Sequence, residues 1–160
     1  MKNIVKINSK IKKFKRTIEV PGDKSISIRW VMLASIAVGR STASNLLESD
    51  DVESAINGMK KLGVRITKIN NKYNIYGSGL GGLRIKKNTI INAGNSGTFA
   101  RLFCGIVSSY NKSIKLIGDK SLSKRDFSRI MKPLSLFGVN IKSNNNKLPL
   151  IITGTDFMRP

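Results

Sequence analysis

The sequence predicts an α/β (α+β) chain built from two consecutive βαβαββ units. Three observations predict it. Apolar periodicity follows the order strand, helix, strand, helix, strand, strand, and that order occurs twice. Glycines close the second helix of each unit at matching positions, Gly63 and Gly138, about 75 residues apart. That spacing is too long for a solenoid and suits a duplicated supersecondary unit. Asparagine-rich turns follow at the same offset, Asn70-Asn71-Lys72 and Asn145-Asn146-Lys147. The first unit is expected over 15–79 and the second over 80–154, with an extension at 1–14 and the start of a linker at 155–160.

Each element has a local reason. Residues 15–20, Lys-Arg-Thr-Ile-Glu-Val, alternate enough for a strand that Pro21-Gly22 ends. A mostly buried helix is expected over 25–38, stopped by Gly39, and a short strand over 41–47. Asp50, with Glu53 three residues on, reads as a capping-box start for a helix that ends at Leu62 with Gly63 as C-cap. Strands over 64–69 and 72–76 flank Asn70-Asn71. In the second unit a strand is expected over 88–92, and the small-residue turn at 94–98 opens a helix to 108. A strand at 113–117, a helix at 126–137 capped by Gly138, and strands at 139–142 and 148–152 complete it. Pro133 falls inside that last helix and should kink it or shift its start.

Bulk properties narrow the function. A chain of 160 residues buries about two-thirds of its unfolded surface, enough for a real core. No apolar run approaches the ~18 residues of a membrane span, and the start Met1-Lys2-Asn3-Ile4-Val5-Lys6 lacks the apolar region of a signal peptide. One cysteine, Cys104, excludes an internal disulfide framework and reads as a buried small residue. The expectation is a cytoplasmic protein without a membrane partner. Lys and Arg number 29 against 9 Asp and Glu, a net charge of +20 that attracts nucleic acid, anionic membrane or an acidic substrate alike. The lysines are dispersed, and an aromatic content of 6% is poor for stacking bases. A basic nucleic-acid-binding module is therefore the alternative, and the main expectation is no nucleic-acid partner. The absence of histidine removes the commonest general base and metal ligand, and no metal site is expected.

The chemistry-bearing segments are short. Gly22-Asp23-Lys24-Ser25-Ile26-Ser27-Ile28-Arg29 recurs as Gly118-Asp119-Lys120-Ser121-Leu122-Ser123-Lys124-Arg125. Each copy sets a Lys, two hydroxyls and an Arg behind a Gly-led turn, the groups a phosphate or carboxylate needs. Ser, Asp and Gly also favour caps, so two unrelated helix starts give the same likeness. Gly94-Asn95-Ser96-Gly97-Thr98-Phe99-Ala100-Arg101 is a third candidate, with two glycines for close backbone approach and a helix N-terminus behind them. None of the three has P-loop spacing. Lys24 is the leading candidate, a mobile point charge at a helix start. Ser25 and Arg29, four apart, share one helix face. Trp30 reads as core, Lys120 as surface, and Asp50-Asp51 as helix caps, with a catalytic role as the lesser alternative.

Together these segments resemble the 5-enolpyruvylshikimate-3-phosphate synthase family. The likeness is carried by Pro21-Gly22-Asp23-Lys24-Ser25-Ile26-Ser27-x-Arg29, Gly94-Asn95-Ser96-Gly97-Thr98-x-x-Arg101 and Gly118-Asp119-x-Ser121-Leu122-x-x-Arg125, with Leu46-Leu47-x-Ser49-Asp50-Asp51-Val52 fitting as well. Order and spacing match over 15–160. The sister UDP-N-acetylglucosamine enolpyruvyl transferases are similar in fold and form a second alternative. They lack the Lys-Ser-x-Ser-x-x-Arg pattern and carry a catalytic loop cysteine that Cys104 does not resemble.

The resemblance implies transfer of the enolpyruvyl group of phosphoenolpyruvate to the 5-hydroxyl of shikimate 3-phosphate, without metal or organic cofactor. It implies an inside-out α/β barrel fold of six βαβαββ units in two domains, two of the six being present, and a monomer at full length. By the same resemblance Lys24 contacts both substrates, Ser25 and Arg29 hold shikimate 3-phosphate, and Gly97 and Arg125 hold phosphoenolpyruvate. Asn95 and Thr98 shape that turn, and Arg101 supports it. Ile28 departs from the family, which usually carries a polar residue there. A Ser-Ala-Gln substrate segment and the acid–base residues would lie beyond Pro160, and 1–14 would pack on the missing domain. The chain is thus expected to supply half a cleft and to be inactive alone.

Overall fold

Helix α1 (Lys24–Ile36) begins where the Asp23 side chain accepts the Ile26 amide at 2.7 Å, satisfying one free donor of the first turn. It is the first element in a computed structural model that describes residues 6, 8, 10, 13 and 15–157. The extension expected at 1–14 lies mostly outside these residues, as do positions 158–160 of the expected linker. After α1 come β1 (Val38–Ser44), α2 (Asp50–Lys61), β2 (Arg65–Ile69) and β3 (Lys72–Ser78). The second half holds β4 (Thr89–Asn92), α3 (Gly97–Val107), β5 (Ser113–Ile117), a short 3-10 turn Leu122–Lys124, α4 (Ser128–Leu136), β6 (Asn140–Asn144) and β7 (Lys147–Thr153).

Two sheets result. The first has the order β1-β3-β2 and is antiparallel throughout. The second has the order β4-β5-β7-β6, with β4 and β5 parallel and the other pairs antiparallel. The duplication is visible in the backbone itself. Gly63 and Gly138 take φ +89° and +94° after α2 and α4, the left-handed region that ends helices. Asn70 and Asn71 (φ 46° and 58°) turn the β2–β3 hairpin as Asn145 and Asn146 (φ 51° and 56°) turn β6–β7. Positive φ at both central residues is the turn geometry that matches strand twist, and Asn tolerates it.

The structure corrects several boundaries. Residues 15–20 form no strand: Ile18 and Val20 are 77% and 65% exposed, so the alternation has no surface to cover. The segment is extended and meets the first unit where Asn45 Nδ2 donates to the Val20 carbonyl. Among the described residues the first unit therefore lacks the parallel partner that β4 gives β5. Gly39 does not stop α1. The helix ends at Ile36 as Ala37 turns extended, and Gly39 (φ +88°) lies inside β1, which starts at Val38 and not at 41. Ser49, not Asp50, occupies the N-cap position of α2, although its hydroxyl makes no capping hydrogen bond; Asp50, Asp51 and Glu53 occupy the first turn, where the positive end of the helix favours them. Helix α4 begins at Ser128, not 126, because the Asp126 carboxylate accepts the Ser128 amide at 2.8 Å; Pro133 stays inside the helix.

The core is shared between the units. Helices α1, α2 and α3 touch one another and pack between the sheets, burying Ile66 and Ile75 on one side and Ile91, Ile114, Leu116, Leu150 and Ile152 on the other. Ile28 is fully buried in this core, surroundings that suit an apolar side chain. Trp30 packs at the margin. The seam between units runs through Gly58 on α2 and Phe99 on α3. A Cβ at Gly58 would lie 2.4 Å from Phe99 Cζ, and Phe99 packs in turn on Phe103, ring centroids 5.4 Å apart. Cys104 is buried as expected, its Sγ donating to the Ala100 carbonyl at 3.2 Å, and burial pushes its thiol up to about 12.

Two measurements test this packing. Gly58→Ala should destabilise the chain by about 1–3 kcal/mol through overpacking against Phe99, read from denaturant unfolding; an unchanged midpoint would show that the seam is loose. The raised Cys104 pKa means that the folded chain holds a proton the unfolded chain loses. Its contribution to stability is present below the ordinary thiol value of 9 and lost as pH rises towards about 12. Cys104→Ala should flatten the alkaline decline of the melting temperature.

Candidate anion site

Three helix N-termini open into one cavity of about 440 Å³. Lys24 stands at the start of α1, Asp50 and Asp51 at the start of α2, and Gly97 and Thr98 at the start of α3; Asn95, Arg101 and Arg125 complete the wall. Free backbone N–H groups and positive helix ends make such a place favourable for anions.

Parallel pairing places the second half of the site. Asn92 and Ile117 are register partners, so β4 and β5 end side by side and the loops leaving them run together. Ala93 donates its amide to the Ile117 carbonyl at 2.9 Å, and Asp119 donates to the Gly94 carbonyl at 2.8 Å. These bonds bring the Asn95 turn against Arg125, whose Nη2 donates to Asn95 Oδ1 at 3.0 Å. Arg101 donates to the Gly97 and Asp126 carbonyl oxygens at 3.4 and 3.2 Å, and its guanidinium carbon lies 5.0 Å from the Phe127 ring centroid. The Ser128 hydroxyl and amide, bonded to Asp126, hold that carboxyl below its ordinary range, with Lys132 and Arg129 adding to the effect. Gly97 is the point on which both arginines close: a Cβ there would lie 2.8 Å from Arg101 Nη1 and 2.9 Å from Arg125 Nη1. A small anion has room between the guanidinium groups only because the side chain is absent.

The repeated octapeptide proves to be a repeated capped turn. Asp23 Oδ1 accepts the Ile26 amide and Asp119 Oδ1 accepts the Leu122 amide, both at 2.7 Å. The amides of Ser27 and Ser123 then reach the carbonyls of Asp23 and Asp119, both at 2.9 Å. The copies diverge after that. The first continues as a 13-residue helix, and the second is a 3-residue turn that releases Arg125. Both deliver a cation, Lys24 and Arg125, to the same cavity. Lys120 is exposed and does not line it.

Six expected residues come together: Lys24, Asn95, Gly97, Thr98, Arg101 and Arg125. Ser25 and Arg29 do not join them. Arg29 Nη1 donates to the Ser25 carbonyl at 3.0 Å, and Arg29 borders a separate apolar groove of about 460 Å³ between α1 and α3, alongside Leu33, Ile36, Leu102 and Ile106. Two residues have partners that the sequence reading did not give them. Ser27 is buried; its hydroxyl donates to the Asp23 carbonyl at 2.6 Å and accepts the Leu47 amide at 3.0 Å, tying the start of α1 to the chain that enters α2. Asp51 pairs with Lys24 at 2.9 Å. Local pattern shows Asp51 only as a first-turn acid, because its partner comes from another helix.

A family model described as EPSP synthase (3-phosphoshikimate 1-carboxyvinyltransferase) matches residues 8–159. The chain belongs to the EPSP synthase family. Among curated relatives, the 3-phosphoshikimate 1-carboxyvinyltransferase of Ruthia magnifica subsp. Calyptogena magnifica is 45% identical over 137 residues, which are 86% of this chain and 31% of that protein. The protein of the same name from Oceanobacillus iheyensis is 44% identical over 141 residues, 87% of this chain and 33% of its own length. The solved EPSP synthase of Acinetobacter baumannii superposes with a TM-score of 0.79 at 37% identity, covering 86% of this chain and 31% of that one. The chain thus spans about a third of the length of the relatives it matches. Over that third, the α/β fold expected from the sequence is the fold of the family.

The closure of both arginines on Gly97 can be measured directly. Gly97→Ala should weaken binding of inorganic phosphate by about tenfold or more, since a filled anion pocket forfeits charge-assisted hydrogen bonds. Its melting temperature should stay close to that of the unaltered chain. Equal phosphate affinity in the two chains, by calorimetry, would remove Gly97 from the site.

Proposed function

We propose that this chain supplies one wall of the cleft in which the enolpyruvyl group of phosphoenolpyruvate passes to the 5-hydroxyl of shikimate 3-phosphate, releasing phosphate. The observation that supports this reading is the convergence of Lys24, Arg101 and Arg125 with three helix starts on one cavity, in a member of this family. Both substrates are anionic and repel each other. Fixed cations and helix termini offset that repulsion, hold the reacting atoms together and stabilise charge that develops between them.

In this reading Gly97 and Arg125 hold the anionic groups of phosphoenolpyruvate, Asn95 fixes Arg125, and Thr98 and Arg101 support the turn. Lys24 meets both substrates. Ser25 and Arg29, on the adjoining surface of α1, hold the phosphate of shikimate 3-phosphate where it extends past the cavity. The hydroxyl oxygen bonds to C2 of phosphoenolpyruvate, the bond from C2 to the phosphate oxygen breaks, and the hydroxyl proton leaves with phosphate. The groups that move protons belong to the length of the relatives that this chain does not span, so the chain alone gives no turnover. In this reading that same length of the relatives covers the apolar groove between α1 and α3. The reaction uses no metal or organic cofactor, and we place it in the cytoplasm of the cell in a protein monomeric at full length. No helix among the described residues is long and apolar enough to cross a membrane.

The test is a backbone amide NMR titration of the chain with phosphoenolpyruvate and with shikimate 3-phosphate. The amides of Lys24, Gly97, Thr98 and Arg125 should shift, and Lys24→Ala and Arg125→Ala should suppress the response. Silence of those amides towards both substrates would overturn the reading, as would turnover by this chain alone.

A further inference from the structure

Two groups on the wall of the anion cavity, Asp50 and Asp51, have the wrong charge for an anion site, and Asp51 is the one paired with a cation of that wall. Asp51 Oδ2 lies 2.9 Å from Lys24 Nζ, its side chain only 19% exposed, and it lines the same cavity as Arg101 and Arg125. The two arginines are held differently. Arg125 is tethered by the neutral amide oxygen of Asn95, and Arg101 by the Gly97 and Asp126 carbonyl oxygens. Their full charge is therefore available to a ligand. Lys24 alone among these cations is tethered by a full negative charge. A neutral acceptor would aim the ammonium group equally well, so orientation does not account for a carboxylate there. Helix N-terminal preference does not account for it either, since that preference acts on an acid of the first turn whichever way its side chain points.

We propose that Asp51 is an internal counter-anion: in the empty cavity it holds the ligand's place on Lys24, and an anionic ligand must displace it to use that cation. This rests on the anion-cleft reading above and adds a selection step to it. The two sides of the pair suit an exchange. Lysine carries a compact charge on a flexible stem and changes partners by rotating a few bonds, whereas the arginine forks stay fixed on their acceptors. The Lys24 side chain is 52% exposed, so solvent screens its side of the pair and helps the pair open. A lone carboxylate offers Lys24 nothing that Asp51 does not already give. A phosphate-bearing ligand that engages Arg101, Arg125 and Lys24 together does. Asp51 is thus a positioning residue that sets the minimum charge a ligand must bring.

Calorimetry with inorganic phosphate on the full chain tests this. Asp51→Asn should tighten phosphate binding roughly fivefold, the upper end of what exposed pairs give, since Asp51 is the more buried partner. In a Lys24→Met background the same substitution should change affinity by less than about twofold, because the two side chains act as a unit. Asp51→Ser, a second neutral replacement, should reproduce the gain, and Asp51→Glu should restore the original affinity. A merely structural Asp51 would weaken binding when replaced, so unchanged or weaker binding in both neutral variants overturns the proposal. A gain that persists in the Lys24→Met background also overturns it, since Asp51 would then act by repulsion across the cavity. Arg125→Ala separates the two levels of the argument. If it abolishes phosphate binding, the anion site stands whatever Asp51 does; if phosphate binds neither chain, or both equally, the anion site and the counter-anion fall together.

Discussion

Everything at the cavity depends on three helices being packed closely enough to begin at the same place. Helix α2 reaches α3 because Gly58 leaves room for the Phe99 ring, whose edge already occupies the position a side chain would need. Phe99 is fully buried and anchors α3 through Phe103. With α1 packed on both helices, the N-termini of all three open together. Aligned peptide dipoles then act on one volume of space, and the free amides of the first turns face one cavity. The apolar core and the polar site are consequences of one arrangement.

The second constraint is the parallel pairing of β4 with β5. Antiparallel neighbours would send their following loops to opposite ends of the sheet, whereas parallel neighbours send them to the same end. The Asn92–Ile117 register therefore lets Gly94 and Asp119 share a backbone hydrogen bond and sets Asn95 against Arg125. The arginines are immobilised by neutral oxygen acceptors and an aromatic face, which restrains the forks without cancelling their charge. Lys24 is handled in the opposite way, by a carboxylate. One cavity thus combines fixed cations with one that must be released.

Much of this was legible in the chain. Gly63 and Gly138, and the paired asparagines at 70–71 and 145–146, marked the duplication because positive φ selects Gly and Asn for local steric reasons. Lys24, Gly97 and Arg125 were legible because a capped turn with a cation behind it has a short-range signature. The strand expected at 15–20 was not realised, since alternation describes a segment able to pair and says nothing of whether an edge receives it. The position of Gly39 within β1 and the start of α2 after Ser49 show boundaries decided by packing against neighbouring elements.

The amino-acid sequence by itself determined the periodic order of helices and strands, the capped turns at Asp23 and Asp119, and the family, because each follows from contacts within a few residues or from short ordered motifs. Only the tertiary structure decided which of those turns share a cavity. It joined Lys24 to Arg125 across the chain, sent Arg29 to the groove between α1 and α3, and turned Asp51 from a helix-start acid into the partner of Lys24. The physical reason is that side-chain meetings between separate helices are fixed by how those helices pack, and packing is a property of the whole core.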